Sequence, residues 1–266
     1  MRLALVVTTH ERPDALARVL ATVARQSSPP DELLIADDGS GPATRDVVLG
    51  FANGARFPVR HVWREHRGFQ LARMRNCAIA ATGCDYIVIA DGDMLLHPAF
   101  LADHRRAARR GCYQQGCRIP LDARATARAL ATGWFPRFTS SGLGVRRRWY
   151  ALHAPRLSAM LGSVANAVLA IKGCNQGFWR DDLVRVNGFD EGLSGWGSED
   201  KELCARLANA GVRRRSILFA AIAFHLDHPP ADRSFHEHNR AVLAATRSSG
   251  RTRCDHGIVA PAGETR

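Results

Sequence analysis

Apolar and polar residues fall along this chain in two alternating rhythms. Near the N-terminus "RLALVVTT" is an unbroken apolar run, the pattern of a strand buried on both faces. In "HERPDALARVLATVARQ" a proline stands near the start, and Leu16, Val19, Leu20 and Val23 recur at helical spacing, which predicts an amphipathic helix. The alternation then repeats. "DELLIADDGSG" predicts a second strand running into an acidic, glycine-containing loop, "PATRDVVLGFAN" a helix, and "FPVRHVW" a third strand. "GFQLARMRNCAIAATG" predicts a helix with a glycine at its end, and "DYIVIADGDML" a fourth strand. Strands alternating with helices predict the α/β class, with a Rossmann-like, mostly parallel sheet covered by helices on both faces. Ligands in such sheets sit beyond the carboxyl ends of the strands. The loops at 8–12, 37–40 and 91–93 fall there.

This regular pattern covers residues 1–118, and over 119–168 it breaks down. That stretch is rich in arginine and alanine around "TGWFPRFTSSGLG", and a helical insertion or lobe over the site is expected. Order returns over 169–245 with a short strand, a small helix, a loop rich in glycine and tryptophan, and a helix from about Glu199 to Asn209 closed by Gly211. "RSILFAAIAFHLDHPP" predicts a last strand ending on histidines, and the polar residues 246–266 predict a flexible tail. No repeat or linker interrupts the chain, so a single compact unit is expected.

Composition changes this picture little, and charge changes it more. Apolar residues make up 46% and charged residues 23%, ordinary values for a globular chain. No run approaches the length of a membrane span. "MRLALVVTTHERP" lacks a cleavage site and predicts a first strand rather than a signal peptide. The net charge of +12 raises two partners, nucleic acid and an anionic membrane surface. The arginines gather in knots at 104–110, 145–149 and 212–216 without an aromatic-interleaved module, which argues against specific nucleic-acid recognition. Peripheral contact with a membrane remains. Seven cysteines without a C-x-x-C exclude a disulfide framework and a structural zinc site and fit a reducing cytoplasm.

The candidate chemistry lies in the loops. On an extended segment Asp91 and Asp93 face the same way and can hold Mg²⁺ or Mn²⁺; the plainer reading is a turn. Asp37 and Asp38 end a second strand, where a carboxylate can accept from a base N–H or a ribose hydroxyl. Arg73 and Arg75 stand near a helix start and suit a diphosphate. In "GWGSED", Trp196 offers a flat face to a sugar ring, and Glu199 and Asp200 begin a helix. One of these two carboxylates suits the positive end of the helix dipole, and the other can act as a general base. His225, and after it His228, can join the metal. No G-x-G-x-x-G and no P-loop is present.

"TTHERP", "ADDGS", "GFQLARMRN", "DGDM", "KGCNQGFWRDDLVRVNGFDE", "GWGSEDKELCARL" and "FHLDHPP" together resemble the inverting glycosyltransferases of family 2, with the GT-A fold. The second half resembles the galactosyltransferase-type C-terminal region of chondroitin-polymerase-like and β-1,4-galactosyltransferase-like enzymes. The resemblance covers roughly residues 3–118 and 170–232. It implies Mn²⁺ or Mg²⁺ held by Asp93 directly, with His225 and Asp91. It implies that Thr9, Glu11, Arg12, Asp38, Arg75 and Asp91 hold the nucleotide and donor, with Trp196 against the sugar. Asp200 is then the catalytic base and Glu199 binds donor or acceptor. The loop "GWGSEDK" departs from the family's run of three acidic residues and leaves that division open. "TTHER" likewise departs from the usual Pro-Thr-Tyr-Asn form of the first loop. The implied reaction moves a hexose or N-acetylhexosamine from a UDP-sugar to a glycan or lipid-linked saccharide. The setting implied is cell-surface polysaccharide or lipopolysaccharide synthesis, in the cytoplasm or at the inner face of the membrane. Two rivals stand beside it. A sugar nucleotidyltransferase would need a glycine-rich phosphate loop where "TTHERPDAL" stands, and a basic nucleic-acid-binding protein rests on charge alone.

Overall fold

The computed structural model describes residues 1–140, 142–161, 164–165 and 171–258. The first half alternates as its apolar rhythm dictates: β1 (Leu3–Thr9), α1 (Pro13–Val23), β2 (Glu32–Asp37), α2 (Pro42–Gly54), β3 (Val59–Trp63), α3 (Leu71–Ala81) and β4 (Tyr86–Asp91). There follow β5 (Met94–Leu96), α4 (Phe100–Ala107), β6 (Cys112–Gln115), β7 (Cys117–Pro120) and α5 (Ala123–Thr132). A single 3-10 turn (Arg148–Ala151) leads into α6 (Pro155–Leu161) and β8 (Val164–Ala165). The chain closes with β9 (Asn175–Trp179), α7 (Arg180–Arg185), α8 (Glu199–Asn209), β10 (Arg213–Ser216), β11 (Ile222–His225) and α9 (His236–Ser249).

Alternation within the strands builds two cores. Leu3, Leu5 and Val7 of β1 point to one face, where Leu16, Val19, Leu20 and Val23 of α1 cover them. Ala4 and Val6 point to the other, against Met74, Ala78 and Ile79 of α3 and Leu203 and Leu207 of α8. The large sheet runs β3-β2-β1-β4-β9-β6-β10-β8 and is mostly parallel. Its register aligns Thr9 with Asp37 and Thr8 with Asp91, so three functional loops leave one carboxyl edge. A second sheet, β5-β11-β7, pairs His225 with Met94 and brings the late histidines beside Asp93.

Four expectations are corrected. "DYIVIADGDML" is two strands: the Gly92 N–H makes the last ladder bond to β1, to the Thr8 carbonyl at 2.7 Å, the chain turns at Gly92 and Asp93, and β5 joins the other sheet. A Cβ on Gly92 would sit 2.6 Å from that carbonyl oxygen, so the residue between the two aspartates must be glycine. Helix α3 ends on Thr82 in extended conformation (φ −106°, ψ 143°), not on a glycine. The last strand also divides, β10 entering the large sheet and β11 the small one. Residues 246–258 are no loose tail. Thr246 and Cys254 are buried, and the Arg251 guanidinium reaches Asp190 and Glu202, each at 2.9 Å. Polarity there serves interior carboxylates rather than solvent. Of the expected tail, residues 259–266 lie outside the described residues, as do 141, 162–163 and 166–170 of the expected lobe.

Helix α8 is locked by a fully buried pair, with Arg206 Nη2 2.7 Å from Glu202 Oε2. The guanidinium also donates to the Gly188 carbonyl at 2.7 Å, tying α8 to the turn after α7. Without Arg206 the buried Glu202 keeps only the partly exposed Arg251 as counter-charge and α8 loses its tie to the Gly188 carbonyl, so Arg206→Ala should cost about 3 kcal/mol. The urea midpoint should fall at unchanged slope; a midpoint equal to wild type would refute a structural role for the pair.

Candidate active site

Asp93 follows the turn at Gly92, and β11 delivers His225 and His228 to it. The Nε2 atoms of His225 and His228 lie 3.4 and 3.3 Å from Asp93 Oδ2, and the three ligand atoms fall within 4.8 Å of one another. The tautomer of His228 follows from its other nitrogen. Nδ1 is 2.7 Å from the Pro229 carbonyl, which only accepts, so that nitrogen carries a proton and Nε2 is the ring nitrogen turned to Asp93. Burial, then the neighbouring Arg118, lowers the His225 pKa to about 4, so its imidazole is neutral near pH 7. Burial, then the charge of Asp91, raises the Asp93 pKa to about 7. Asp93 Oδ1 is buried without a partner. One carboxylate and two imidazoles that converge within 4.8 Å of one another suit a divalent cation. The residues present fit Mn²⁺ or Mg²⁺.

Asp91 sits apart from this cluster. Because the chain turns at Gly92, the two aspartates do not share an extended segment. Asp91 Oδ1 accepts from Arg75 Nη2 at 2.9 Å and from Thr8 Oγ1 at 3.0 Å. Arg75 lies beneath the site rather than in it. Its buried side chain bridges Asp91 and Glu199, the latter at 3.3 Å, and stacks over Phe189 with 5.1 Å to the ring centre. Carboxylate neighbours offset the desolvation that would lower its pKa and raise it overall.

A cavity of about 570 Å³ opens between the cluster and the first loops, lined by Thr9, Arg12, Asp38, Asp91, Asp93 and Trp196 among others. Two of its acceptors are unclaimed: Thr9 Oγ1 and Asp38 Oδ1 are buried and make no hydrogen bond. Asp37 is spent on structure, its Oδ2 held by His61 at 2.8 Å and its Oδ1 by the Ser40 N–H at 2.9 Å. Glu11 is turned away, since its Oε1 accepts from the Gly41 N–H at 2.8 Å. Arg12 lines the cavity while pairing with Asp14 at 3.1 Å. Trp196 is held out by two left-handed glycines, Gly195 (φ 66°) and Gly197 (φ 109°). It also walls a second hollow of about 510 Å³.

Glu199 and Asp200 open α8. Burial, then the Asp200 charge, raises the Glu199 pKa to about 7, while burial also raises that of Asp200. The Asp200 oxygens accept from the N–H groups of Gly173 and Lys201, both at 2.7 Å. Two residues stood outside the sequence-based site, while His228, named there only after His225, joins the Asp93–His225 cluster. Arg118, within β7, lines the cavity with a buried, unpartnered Nε, and nothing local in the sequence singled it out. His10 lines the cavity with its ring 4.3 Å from that of His66, and their Nδ1 atoms donate to the Asp38 carbonyl at 2.8 and 3.1 Å.

With this geometry in hand, comparison with known proteins is informative. The model of glycosyl transferase family 2 matches residues 4–148, and that of the N-terminal domain of galactosyltransferase matches residues 164–229. Validoxylamine A glucosyltransferase of Streptomyces hygroscopicus subsp. limoneus is 30% identical over 222 residues, covering 79% of this chain and 48% of that protein. Chondroitin synthase of Escherichia coli is 25% identical over 244 residues, 85% of this chain and 35% of that one. The chain thus spans about half the length of its curated relatives, or less. Among solved structures, S. aureus TarS 1–349 superposes with a TM-score of 0.65 at 12% identity, over 94% of this chain and 68% of that one. The mannosyltransferase PcManGT of Pyrobaculum calidifontis, in complex with GDP-Man and Mn²⁺, gives 0.60 at 19% identity, over 93% and 63%. Since the first family model alone takes in more than half of its residues, the chain belongs to glycosyltransferase family 2, on a GT-A fold.

Proposed function

We propose that the protein transfers a hexose or N-acetylhexosamine from a UDP-sugar to a hydroxyl of a glycan or lipid-linked saccharide, with inversion at the anomeric carbon. Its setting is cell-surface polysaccharide or lipopolysaccharide synthesis, in the cytoplasm or at the inner face of the membrane. The observation that carries this reading is the Asp93–His225–His228 cluster on one wall of a cavity with unclaimed buried acceptors on another. Nucleotides held by the two structural neighbours, UDP in a TarS complex and GDP-Man in the mannosyltransferase, support a nucleoside-diphosphate sugar. The uracil base rests on the family resemblance.

Each side chain then has a task. Asp38 Oδ1 and Thr9 Oγ1 accept from the base and ribose. Asp93, His225 and His228 would hold Mn²⁺ or Mg²⁺, which supplies positive charge to the departing diphosphate. Arg118 adds a guanidinium at the same end of the cavity. Trp196 gives the sugar an apolar face. Asp200 takes the proton of the acceptor hydroxyl, whose oxygen attacks opposite the leaving nucleotide, so an α-linked donor yields a β-glycoside. Glu199 has a competing claim: its pKa of about 7 suits a base at neutral pH, whereas backbone N–H groups already occupy Asp200.

Calorimetry of UDP with and without Mn²⁺ tests the site. Mn²⁺ should tighten binding, and Asp93→Ala should remove that gain, a loss of about tenfold or more; UDP affinity indifferent to both would end the UDP-sugar reading. The pH dependence of kcat then separates the two carboxylates. A base works only when ionised, so the rate should rise as pH passes its raised pKa. Asp200→Asn should lower kcat by about 10²–10⁴-fold, while Glu199→Gln retains turnover. A limb near pH 7 that vanishes in Glu199→Gln, with Asp200→Asn still active, would transfer the role to Glu199.

A further inference from the structure

The lobe between β7 and β9 carries mostly one sign of charge. Between β7 and β9 Asp122 is the one acidic residue, against seven arginines and Lys172. Arg137, Arg146, Arg147 and Arg156 are exposed and enter no ion pair among the described residues. The same lobe exposes large apolar side chains. Leu157, Met160 and Leu161 fall at i, i+3 and i+4 of α6 and so share one helix face, with Met160 82% and Leu161 52% exposed. No described residue covers that face. Trp149 is 64% exposed, and the Arg148 guanidinium lies over its ring, 4.8 Å from the centre.

We infer that this lobe is a docking surface for an anionic lipid bilayer, seated by the apolar face of α6 and Trp149 and drawn in by the surrounding arginines. Charge complementarity selects this occupant. Aliphatic Leu157, Met160 and Leu161 gain nothing from a nucleic-acid backbone, and two copies of so basic a lobe repel each other. A bilayer interface takes both features, because binding grows with buried apolar area and with attraction to anionic headgroups. Among the described residues no helix is long and apolar enough to cross a membrane, so contact is at the surface.

The lobe is fixed to the catalytic frame. Arg146 donates its N–H to the Pro120 carbonyl at 3.0 Å, and Ala154 to that of Phe219 at 2.8 Å. Leu121 pairs with Val145 and donates to the His225 carbonyl at 2.9 Å. Seating the lobe therefore sets the height of the cavity above the membrane, at the depth where the head of a lipid-linked substrate is presented.

Docking requires no sugar transfer, so it can fail or succeed independently of the proposed reaction. Co-sedimentation of the full chain with vesicles of phosphatidylcholine, with and without phosphatidylglycerol, tests it. Wild type should sediment only with the anionic vesicles. Partitioning should fall about fivefold for each arginine lost in Arg146→Ala/Arg147→Ala, and about tenfold or more in Met160→Glu/Leu161→Glu. Circular dichroism of both variants should match wild type, since every altered side chain is exposed. Absence of sedimentation would overturn the inference, as would binding that the paired glutamates leave unchanged. Binding to duplex DNA without vesicle binding would assign the lobe to nucleic acid. Dimerisation abolished by the glutamates, again without vesicle binding, would assign it to a second copy.

Discussion

Burying the Arg75 guanidinium among Asp91, Glu199 and Asp200 couples elements that are distant in sequence: α3 supplies the cation, β4 one anion and α8 two more. One positive charge faces three negative ones in a place that water scarcely reaches. The imbalance has a direct chemical result. Glu199 cannot shed its proton as an exposed carboxyl would, and its pKa climbs to about 7. The clamp therefore positions Glu199 and Asp200 and also poises their protonation. Loss of the guanidinium would leave the largely enclosed Glu199 without its counter-charge, a large penalty in a low-dielectric interior.

A second imbalance lies at the other wall of the cavity. There the Asp93 carboxylate and the His225 and His228 imidazoles converge, and Asp93 Oδ1 is buried with no partner among the described residues. Arg75 satisfies its neighbours from within the chain, whereas this cluster leaves a buried carboxylate oxygen without a partner among the described residues. The contrast explains why two aspartates one residue apart have separate duties. Asp91 is tied into the ion network of Arg75, and Asp93 stands with the two histidines on the cavity wall. The turn at Gly92 and Asp93 makes the division, since the chain leaves the β1 edge there for the second sheet.

Much of this was legible in the sequence because unbroken runs of β-branched residues and helical spacing of leucines encode burial directly. Leu16, Val19, Leu20 and Val23 are the buried face of α1 as their spacing predicted. The motif residues Asp38, Asp93, Trp196 and His225 all border the cavity. What escaped depends on contacts between distant segments. Nothing local to "DGD" announces that its glycine would meet the Thr8 carbonyl, so the pair was read as one extended segment. Arg75 resembles a phosphate ligand until the carboxylates that bury it are in place. The polarity of residues 246–258 suggested solvent, and only the tertiary structure reveals Glu202 and Asp190 as the partners of Arg251.

The position of β9 carries a consequence for how such a chain can be divided. Two family models part company between residues 148 and 164, yet β9, from the second region, lies antiparallel between β4 and β6 of the first. A fragment ending before β9 would expose the backbone edge of β4, a row of unpaired N–H and C=O groups bordered by Ile87, Val88 and Ile89. Such an edge recruits strands from other molecules. Gene fusions, truncations and module exchanges between relatives must therefore keep β9 with the first region, whatever the sequence boundary suggests.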